Sequence, residues 1–469
     1  MLGYLISIDK YLIGIKLIYL TFGLQYYAIY QFRSVILIEG YLASAKTFGM
    51  MFGSIMFITF FVSVYGAHLI DKYRLCKRNI LLGLLFSSLL IIELMIVFKS
   101  ILIDSLRVWI PFLFYNIFNY PQISILDKAV LDFLRNKKIS SKYYSNQKLF
   151  EGVGFLITCF FIERLVKPST KNKNLQINFE GLQIYLLFCA IIACSFIFTF
   201  LRRPNTVRIP RGNQARPKFT DLLKSTDYKK FLLIFLFSGL IRTGLSLYTT
   251  NFYRSCLKIK RIDVESLGFS RIFLIPFKNC PLTLATSLST IFEIVSLSTS
   301  EYICKLYGLY TLLLLGSLCQ LLRVFIYLFA AKRSSYLLFY VCISESLKGL
   351  NFGYLQASGV ELAEKLAPSG SRNASQVVFY GLYNGISFFI SGFMFGSMFK
   401  GKMDPKAFIM FYSCILGLII AKIVLIFLFY FVLSSKLFKK RDEDEYLKKE
   451  KEKEKEILEK ECEILKKKL

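Results

Sequence analysis

The stretch ILGLIIAKIVLIFLFYFV, residues 415–432, has one charged side chain, Lys422, in eighteen positions. About 18 mostly apolar residues are enough for a helix to cross the ~30 Å hydrocarbon core of a bilayer. Similar apolar runs recur along the 469-residue chain, for example at Phe231–Leu240 and Leu312–Leu322, and 55% of all residues are hydrophobic. A backbone in lipid must satisfy its own hydrogen bonds, and these runs do not alternate with polar residues, so they indicate helices rather than a β-barrel. We therefore expect an all-α membrane protein.

Extended along the chain, the same pattern predicts twelve transmembrane helices in two bundles of six. The polar segment between the bundles, 202–230, carries nine Lys and Arg residues and is predicted to be a cytoplasmic basic linker. It separates an N-terminal six-helix bundle, 1–201, from a C-terminal six-helix bundle, 231–434, and a charged cytoplasmic tail follows at 435–469. The predicted spans are 11–31, 47–70, 79–99, 107–133, 148–166, 182–201, 230–252, 282–304, 308–330, 335–362, 374–399 and 406–434.

The distribution of basic residues predicts the orientation of the spans. In the first half, the loops after spans 2, 4 and 6, counted with three flanking residues on each side, hold four, five and nine Lys or Arg residues, against two, two and four after spans 1, 3 and 5. Because cytoplasmic loops are enriched in basic residues, the even loops and both termini are predicted to be cytoplasmic. The net charge of +29 lies in short loops rather than on one face of a domain, which argues against nucleic-acid binding. We expect the protein to lie in the lipid bilayer of the plasma membrane.

A weak internal repeat supports two equivalent halves. Gln147-x-x-Phe150-x-Gly152 opens span 5, and Gln376-x-x-Phe379-x-Gly381 opens span 11, at an offset of 229 residues. Halves related by a parallel repeat occur in transporters that bind their substrate near the bilayer midplane, at the interface of the repeats. The repeat therefore places a candidate site between the two bundles.

Charged residues inside the spans are the candidate site residues that physical chemistry alone selects. A charge at the bilayer centre costs at least ~2.5–3.5 kcal/mol on insertion scales, so such residues normally face a cavity and a partner. Glu293 and Arg323 are expected to pair across consecutive spans, and Glu345 and Lys348 share one helix face. The alternative for each is a buried ion pair that only orients helices, and Lys422 is expected to be a snorkelling or peripheral residue. The interior charges are Asp127, Arg242, Glu293, Arg323, Glu345 and Lys348.

The loop between spans 2 and 3, GAHLIDKYRLCKR at 66–78, resembles the signature loop of the major facilitator superfamily. Ala67 and Tyr73 stand where that signature has glycines. The resemblance implies that Asp71 caps a helix N-terminus across the interface of the halves and that the basic residues control topology and gating. The alternative is an ordinary basic inner loop. The candidate gating residues are Asp71, Lys72, Arg74, Lys77 and Arg78.

Further patterns in the order of the chain resemble the lactose permease-like and nucleoside:proton symporter-like branch of that superfamily. They include Phe292-Glu293-Ile294, Leu321-Leu322-Arg323, Leu347-Lys348-Gly349-x-x-Phe352-Gly353 and Lys148-Leu149-Phe150-Glu151-Gly152. The resemblance implies the major facilitator fold and a substrate and proton site. In that site Lys148 replaces an Arg, and Glu151 replaces a small residue. The residues that it selects are Asp127, Lys148, Phe155, Glu293, Arg323, Lys348 and Phe352.

The expected function is secondary active transport of a small polar solute, nucleoside-like or sugar-like, with H⁺ as the coupled ion. The single histidine, His68, lies at the end of span 2, so a buried carboxylate must carry the proton, with Glu293 the first candidate and Asp127 the second. An uncoupled facilitator or exporter and a non-transporting receptor or scaffold are the alternatives. We expect a monomer with no cofactor, no metal and no enzymatic activity. Cys256 and Cys280 share one loop, and their pairing stays open.

Overall fold

The structure is a computed structural model, and it is all-helical in every part of the chain that it describes. The linker residues 202–224 and the tail 435–469 lie outside those parts. The described residues are 2–73, 76–103, 106–136, 143–166, 177–201, 225–259, 275–331, 336–366, 372–399 and 403–432.

Fourteen helices of nine or more residues form the framework of the described residues. In chain order they are α1 Leu2–Tyr26, α2 Ala45–Lys72, α3 Lys77–Val97, α4 Trp109–Asn119, α5 Gln122–Asn136, α6 Tyr143–Leu165, α7 Phe179–Phe200, α8 Thr226–Asn251, α9 Pro281–Tyr307, α10 Leu309–Ala330, α11 Leu337–Lys365, α12 Arg372–Tyr380, α13 Ser387–Gly396 and α14 Pro405–Ile426. Shorter helical turns occur at Arg33–Val35, Ile36–Gly40, Lys99–Leu102, Leu106–Val108, Phe252–Cys256, Ile275–Phe277, Gly381–Ile386 and Phe427–Val432.

Each predicted span coincides with one helix or with two consecutive helices. Span 4 is divided into α4 and α5 at Pro121, which has no backbone N–H to donate and crowds the preceding turn. Span 11 is divided into α12 and α13 by the π-helical turn Gly381–Ile386. Eight of the helices are long and apolar enough to cross a membrane. The other four predicted spans include α6 and α11, which carry charged site residues, and for those four the crossing stays a prediction.

Packing within each half follows a simple plan. In the first half α1 packs against α6 and α7, and in the second half α11 packs against both α9 and α10. The halves meet where α2 lies along α13 and where α6 lies beside α9. At Gly392, a Cβ atom would come within 2.2 Å of the carbonyl oxygen of Gly49, so only glycine permits this approach of α13 to α2. The second contact brings α6 and α9, which carry candidate charges of the two halves, side by side, and we call the region between the halves the central space.

Candidate functional site between the two halves

The first half contributes one face of α6 to the site. Lys148, Glu151 and Phe155 are spaced by three and four residues, which aligns them on a helix. Glu151 is 5% exposed, and its Oε1 accepts a 2.5 Å hydrogen bond from the hydroxyl of Tyr27 on α1. The buried Oε2 makes no hydrogen bond within the described residues and lies 4.0 Å from Lys148 Nζ. Glu151 therefore keeps one oxygen available for a proton or a ligand.

Asp127 of α5 is held from two sides. Lys148 Nζ lies 2.5 Å from its Oδ2, and the hydroxyl of Tyr19 donates to its Oδ1 at 2.8 Å. The Lys148 side chain remains 39% exposed. A lysine between two carboxylates, Asp127 and Glu151, balances part of the negative charge that this face carries.

The second half contributes a network around Glu345 of α11. Its Oε2 accepts from Lys348 Nζ at 2.7 Å, which confirms that the two residues share a helix face. Its Oε1 accepts from the Tyr253 hydroxyl at 2.7 Å and from an Arg323 guanidinium nitrogen at 3.3 Å. Arg323 Nε also donates to the hydroxyl of Tyr327 at 2.8 Å. Glu345 is 3% exposed and has two cations and two phenols as direct partners, since the Tyr327 hydroxyl also donates to its Oε1 at 3.4 Å.

The expected pair of Glu293 with Arg323 is wrong, because Arg323 pairs with Glu345 instead. The physical reason is the packing order. Although α9 and α10 are consecutive in the chain, α11 packs extensively against both of them. The carboxylate nearest to Arg323 therefore comes from α11.

Arg242 of α8 lies between aromatic rings and an amide. It is hydrogen-bonded to the Asn384 Oδ1 atom in the π-helical turn. Its guanidinium carbon lies 5.2 Å from the centroid of the Phe352 ring and 4.8 Å from that of Tyr383. Cations at such distances from aromatic faces are attracted by the ring quadrupole. The structure thus brings together Arg242 and Phe352, which the sequence suggested separately.

Glu293 of α9 connects the two halves electrostatically. The charged groups that act on it are Lys348 and Arg242 of its own half and Glu151 of the other half. Its helix passes close to α11 at two glycines. A Cβ atom at Gly349 would lie 2.0 Å from the Ser289 carbonyl oxygen, and one at Gly353 would lie 1.8 Å from Ser296 Oγ. The Gly349-x-x-x-Gly353 spacing therefore sets the separation of the two helices that carry Glu293 and Lys348.

The candidate gating loop is described only in part. The helix α2 extends through Asp71 and Lys72, but the side chains of these residues and all of Arg74 lie outside the described residues. Lys77 pairs with Asp132 of its own half, and Arg78 lies 5.1 Å from the ring centroid of Phe198. The role of the loop as a gate stays a prediction.

Lys422 does not snorkel, which corrects that expectation. It is completely buried in the second half, and its Nζ donates to Gln320 Oε1 at 2.9 Å. Gln320 on α10 supplies the acceptor that the hydropathy pattern could not show, because α10 and α14 pack against each other.

Polar contacts join the two halves at one end of the bundle, which we call the outer end after the predicted orientation. Arg33 donates to Ser246 Oγ at 2.8 Å, and Ser34 Oγ donates to Asn251 Oδ1 at 2.8 Å. The Arg254 guanidinium lies 3.1 Å from Glu39 Oε2. Arg33, Ser34 and Asn251 are buried, whereas Ser246 is exposed, and together these contacts tie the two halves at this end.

Several residues of the site were not selected from the sequence. They are Glu151, Tyr27, Tyr253, Tyr327, Tyr383 and Asn384. Glu151 had a usable signal, because it lies three residues from Lys148 and four from Phe155 on one helix face. The tyrosines had no such signal, because the chain contains 29 Tyr and 47 Phe residues and nothing in the sequence distinguishes these few from the others. Within the described residues, no group of three or more His, Cys, Asp or Glu side chains could hold a metal ion.

The helical halves and the charged site between them define a multi-pass membrane transporter of the major facilitator fold. The chain belongs to the MFS_1 like family, whose sequence model matches residues 34–411. The nucleoside transporter NupG, in a mutant form, superposes with a TM-score of 0.71 at 13% identity, covering 88% of this chain and 99% of that one. A POT family transporter in complex with 5-aminolevulinic acid gives a TM-score of 0.59 at 14% identity, covering 88% and 96%.

A bacterial homologue of the lysosomal transporter Spinster, in an inward-facing and occupied conformation, gives a TM-score of 0.56 at 13% identity, covering 92% of this chain and 97% of that one. At these identities the similarity establishes the fold. No curated protein shows a significant match to the chain.

Proposed function

We propose that this chain is a secondary active transporter that couples the movement of a small polar solute, nucleoside-like or sugar-like, to protons. The observation that carries the proposal is the placement of Glu151 and Glu293, one from each half, on the same central space. The charge of Glu151 acts on Glu293 across the interface, so a movement of one half against the other alters the electrostatic energy of Glu293. Alternating access by such a movement is the general mode of transporters built from repeats.

The aromatic residues support a solute with a ring. In the second half, Arg242 lies against Phe352 and Tyr383. In the first half, the ring centroids of Tyr27 and Phe155 are 4.9 Å apart in an edge-to-face arrangement. Rings on both sides suit a flat base or the apolar face of a sugar, and the Asn384 amide and Lys348 supply polar contacts. The structural similarity to NupG, a nucleoside transporter, supports the nucleoside-like class.

The proton carrier in this proposal is a carboxylate. A proton on Glu293 or Glu151 removes a charge from a low-dielectric region, and a change in the position of Lys348 or Arg242 alters the free energy of that proton. Asp127 is a poorer carrier than the sequence suggested, because Lys148 and Tyr19 already bind its two oxygens. Glu293 keeps its place as first candidate, with Lys348 and Arg242 in the role expected of Arg323.

We also infer that the chain acts as a monomer in the plasma membrane with both termini in the cytoplasm, and that loop 66–78 takes part in closing the cytoplasmic end. The distribution of basic residues supports the orientation. The expected absence of a cofactor agrees with this proposal, because the proton gradient supplies the free energy for movement of the solute.

The test is uptake into proteoliposomes under an imposed proton gradient, with a panel of labelled nucleosides and sugars. We expect at least one nucleoside to accumulate, and Glu293→Gln to abolish gradient-driven accumulation while exchange at equal pH continues. Glu301→Gln is the matched control, since Glu301 lies on the same helix with a side chain that is 79% exposed. No uptake of any solute by the folded protein would refute the proposal. Uptake that is independent of pH in both compartments would favour an uncoupled facilitator.

A further inference from the structure

Among the described residues, Glu163 accepts three hydrogen bonds from the other half. It lies near the end of α6, is 6% exposed, and reaches the beginning of α9 in the other half. Its Oε2 accepts from the backbone N–H of Thr283 at 2.7 Å and from the Thr283 hydroxyl at 2.7 Å. Its Oε1 accepts from the backbone N–H of Leu282 at 3.1 Å. One carboxylate thus binds three donors across the interface.

The donors are the ones that a helix cannot satisfy by itself. The first N–H groups of α9 have no intrahelical acceptor, because the helix begins at Pro281. The preceding residue, Cys280, provides no side-chain cap. Glu163 therefore acts as the N-cap of α9, although an N-cap residue normally belongs to the chain segment that leads into the helix. Its negative charge is also favourable at the positive end of the helix dipole. Hydrogen bonds to an ionised acceptor are about twice as strong as neutral ones.

The cap lies where the two halves would separate if the outer end opened. Separation of the halves at the outer end removes the acceptor from the first turn of α9 and leaves the carboxylate to be hydrated. The neighbouring contacts of Arg33 and Ser34 each provide one hydrogen bond to a neutral side chain. Glu293 lies twelve residues further along α9, about 18 Å at 1.5 Å per residue. The helix that is capped at the outer end is therefore the helix that carries the first candidate proton carrier.

We propose that Glu163 is the latch of the outer gate: a carboxylate of the first half that caps α9 of the second half and holds the outer end closed. The proposal rests on the proposed transport function, since a latch has meaning only if the outer end opens. In this scheme Glu163 is a positioning residue that acts through α9 and does not contact the solute.

Cys280 is a natural reporter of the latch. It immediately precedes Pro281, is completely buried, and its Sγ lies 3.9 Å from the Phe160 carbonyl oxygen in the other half. Cys256 and Cys280 are both free thiols, so no disulfide joins these two described residues. A membrane-impermeant maleimide reaches Cys280 only when the halves separate there. Mass spectrometry of the labelled full-length protein reads this cysteine separately from the others.

The experiment compares the rate of Cys280 labelling in the wild-type protein and in variants reconstituted in vesicles. For Glu163→Ala we expect about a tenfold increase, because charged hydrogen bonds of the closed state are lost. For Thr283→Val, which removes one donor of three, we expect a smaller increase. Glu180→Gln is the matched control, since Glu180 is an exposed carboxylate at the same end, and it should leave the rate unchanged.

An unchanged labelling rate in folded Glu163→Ala would overturn the proposal. Should that variant fail to fold, Glu163→Gln removes the charge and one of the two acceptor oxygens, and an unchanged rate there together with an unchanged rate in Thr283→Val would also overturn the proposal. The assay requires no solute. Absence of uptake would therefore count against the proposed transport function without altering the labelling result.

Discussion

The two halves of the central site each bury a glutamate, but they treat it differently. Glu345 in the second half has Lys348 and Arg323 as cationic partners and the Tyr253 hydroxyl as a donor. Glu151 in the first half has the Tyr27 hydroxyl on one oxygen and an ammonium group 4.0 Å from the other. The first arrangement compensates the charge in place, whereas the second leaves room for a proton. We therefore expect Glu345 to stabilise the fold and Glu151 to bind a proton.

The largest expected effect follows from removal of Glu345. In Glu345→Ala, Arg323 stays buried without its carboxylate, and breaking a buried ion pair in this way costs about 3–5 kcal/mol. We expect the folded protein to be lost or its thermal unfolding midpoint in detergent to fall markedly. Glu361→Ala is the control on the same helix, because its half-exposed pair with Lys365 should contribute less than about 1 kcal/mol. Equal stability of the two variants would contradict the structural role.

A partial rescue sharpens this result. The double variant Glu345→Ala with Arg323→Met removes both charges, and it should recover part of the lost stability because no uncompensated guanidinium remains. If the double variant is less stable than Glu345→Ala alone, the charge imbalance was not the cause of the loss.

The second effect concerns Glu151 and should leave the fold intact. Glu151→Gln retains an acceptor for the Tyr27 hydroxyl but cannot carry a proton as a carboxylate does. We expect gradient-driven uptake to fall at least tenfold, about 1.4 kcal/mol, while exchange and the unfolding midpoint stay near wild type. Tyr27→Phe removes the hydrogen bond and keeps the carboxylate, so its effect should be intermediate. Uptake by Glu151→Gln that still follows the proton gradient would remove Glu151 from the proton path.

These contrasts show what the sequence could and could not specify. Apolar runs predicted the helices because a backbone in lipid has few alternatives, and Pro121 alone explains why one span is divided. Interior charges were found as single residues because each is costly in a membrane. The partners of these charges could not be found in the same way. Arg323 pairs with Glu345 rather than with Glu293 because α11 packs against α10. That arrangement is a property of the tertiary structure and leaves no periodic signal.

The missing residues of the site have the same explanation. Lys422 lies in the middle of an apolar run, and its burial against Gln320 could be known only once α10 and α14 were seen side by side. Tyr27 and Tyr253 are two tyrosines among many, and their hydroxyls matter because of the carboxylates that they meet. In the sequence, Glu151 is visible only as a departure from a family pattern. Its candidate role in binding a proton follows from its contacts with Tyr27 and Lys148 in the structure.

A smaller effect is expected where the second half meets the solute. Phe352→Leu keeps an apolar side chain but removes the ring that faces Arg242. Since a cation–π contact contributes about 0.5–2 kcal/mol, we expect a severalfold increase in KM for the transported solute. Phe339→Leu is the control on the same helix, because Phe339 is exposed on the surface of the bundle. A change in proton coupling without a change in KM would mean that Phe352 serves proton coupling rather than contact with the solute.

The smallest effect extends the comparison to a carboxylate with a single cation. Glu39 lies outside the spans at the outer end, with the Arg254 guanidinium 3.1 Å from its Oε2. Burial raises the pKa of Glu39 above its ordinary value of 4.5, and the opposing effect of Arg254 is insufficient to cancel this. A carboxyl group with a raised pKa in the folded state stabilises that state fully below pH 4.5, and the contribution is lost as the pH rises through the folded-state pKa.

Glu39→Gln mimics the protonated form, so it should remove this loss. We expect its unfolding midpoint in detergent to exceed that of the wild type above the folded-state pKa of Glu39, and the difference to vanish as the pH falls below 4.5. Measurement of the midpoints from about pH 4 to pH 8 checks the sign, with the exposed Glu180→Gln as the control that shows no such trend. A difference that instead appears only in acid would mean that the ion pair with Arg254 outweighs burial. One nearby cation would then be enough to hold a buried glutamate of this protein in its charged form, and the distinction between Glu345 and Glu151 would depend on the distance to the cation rather than on the number of cations.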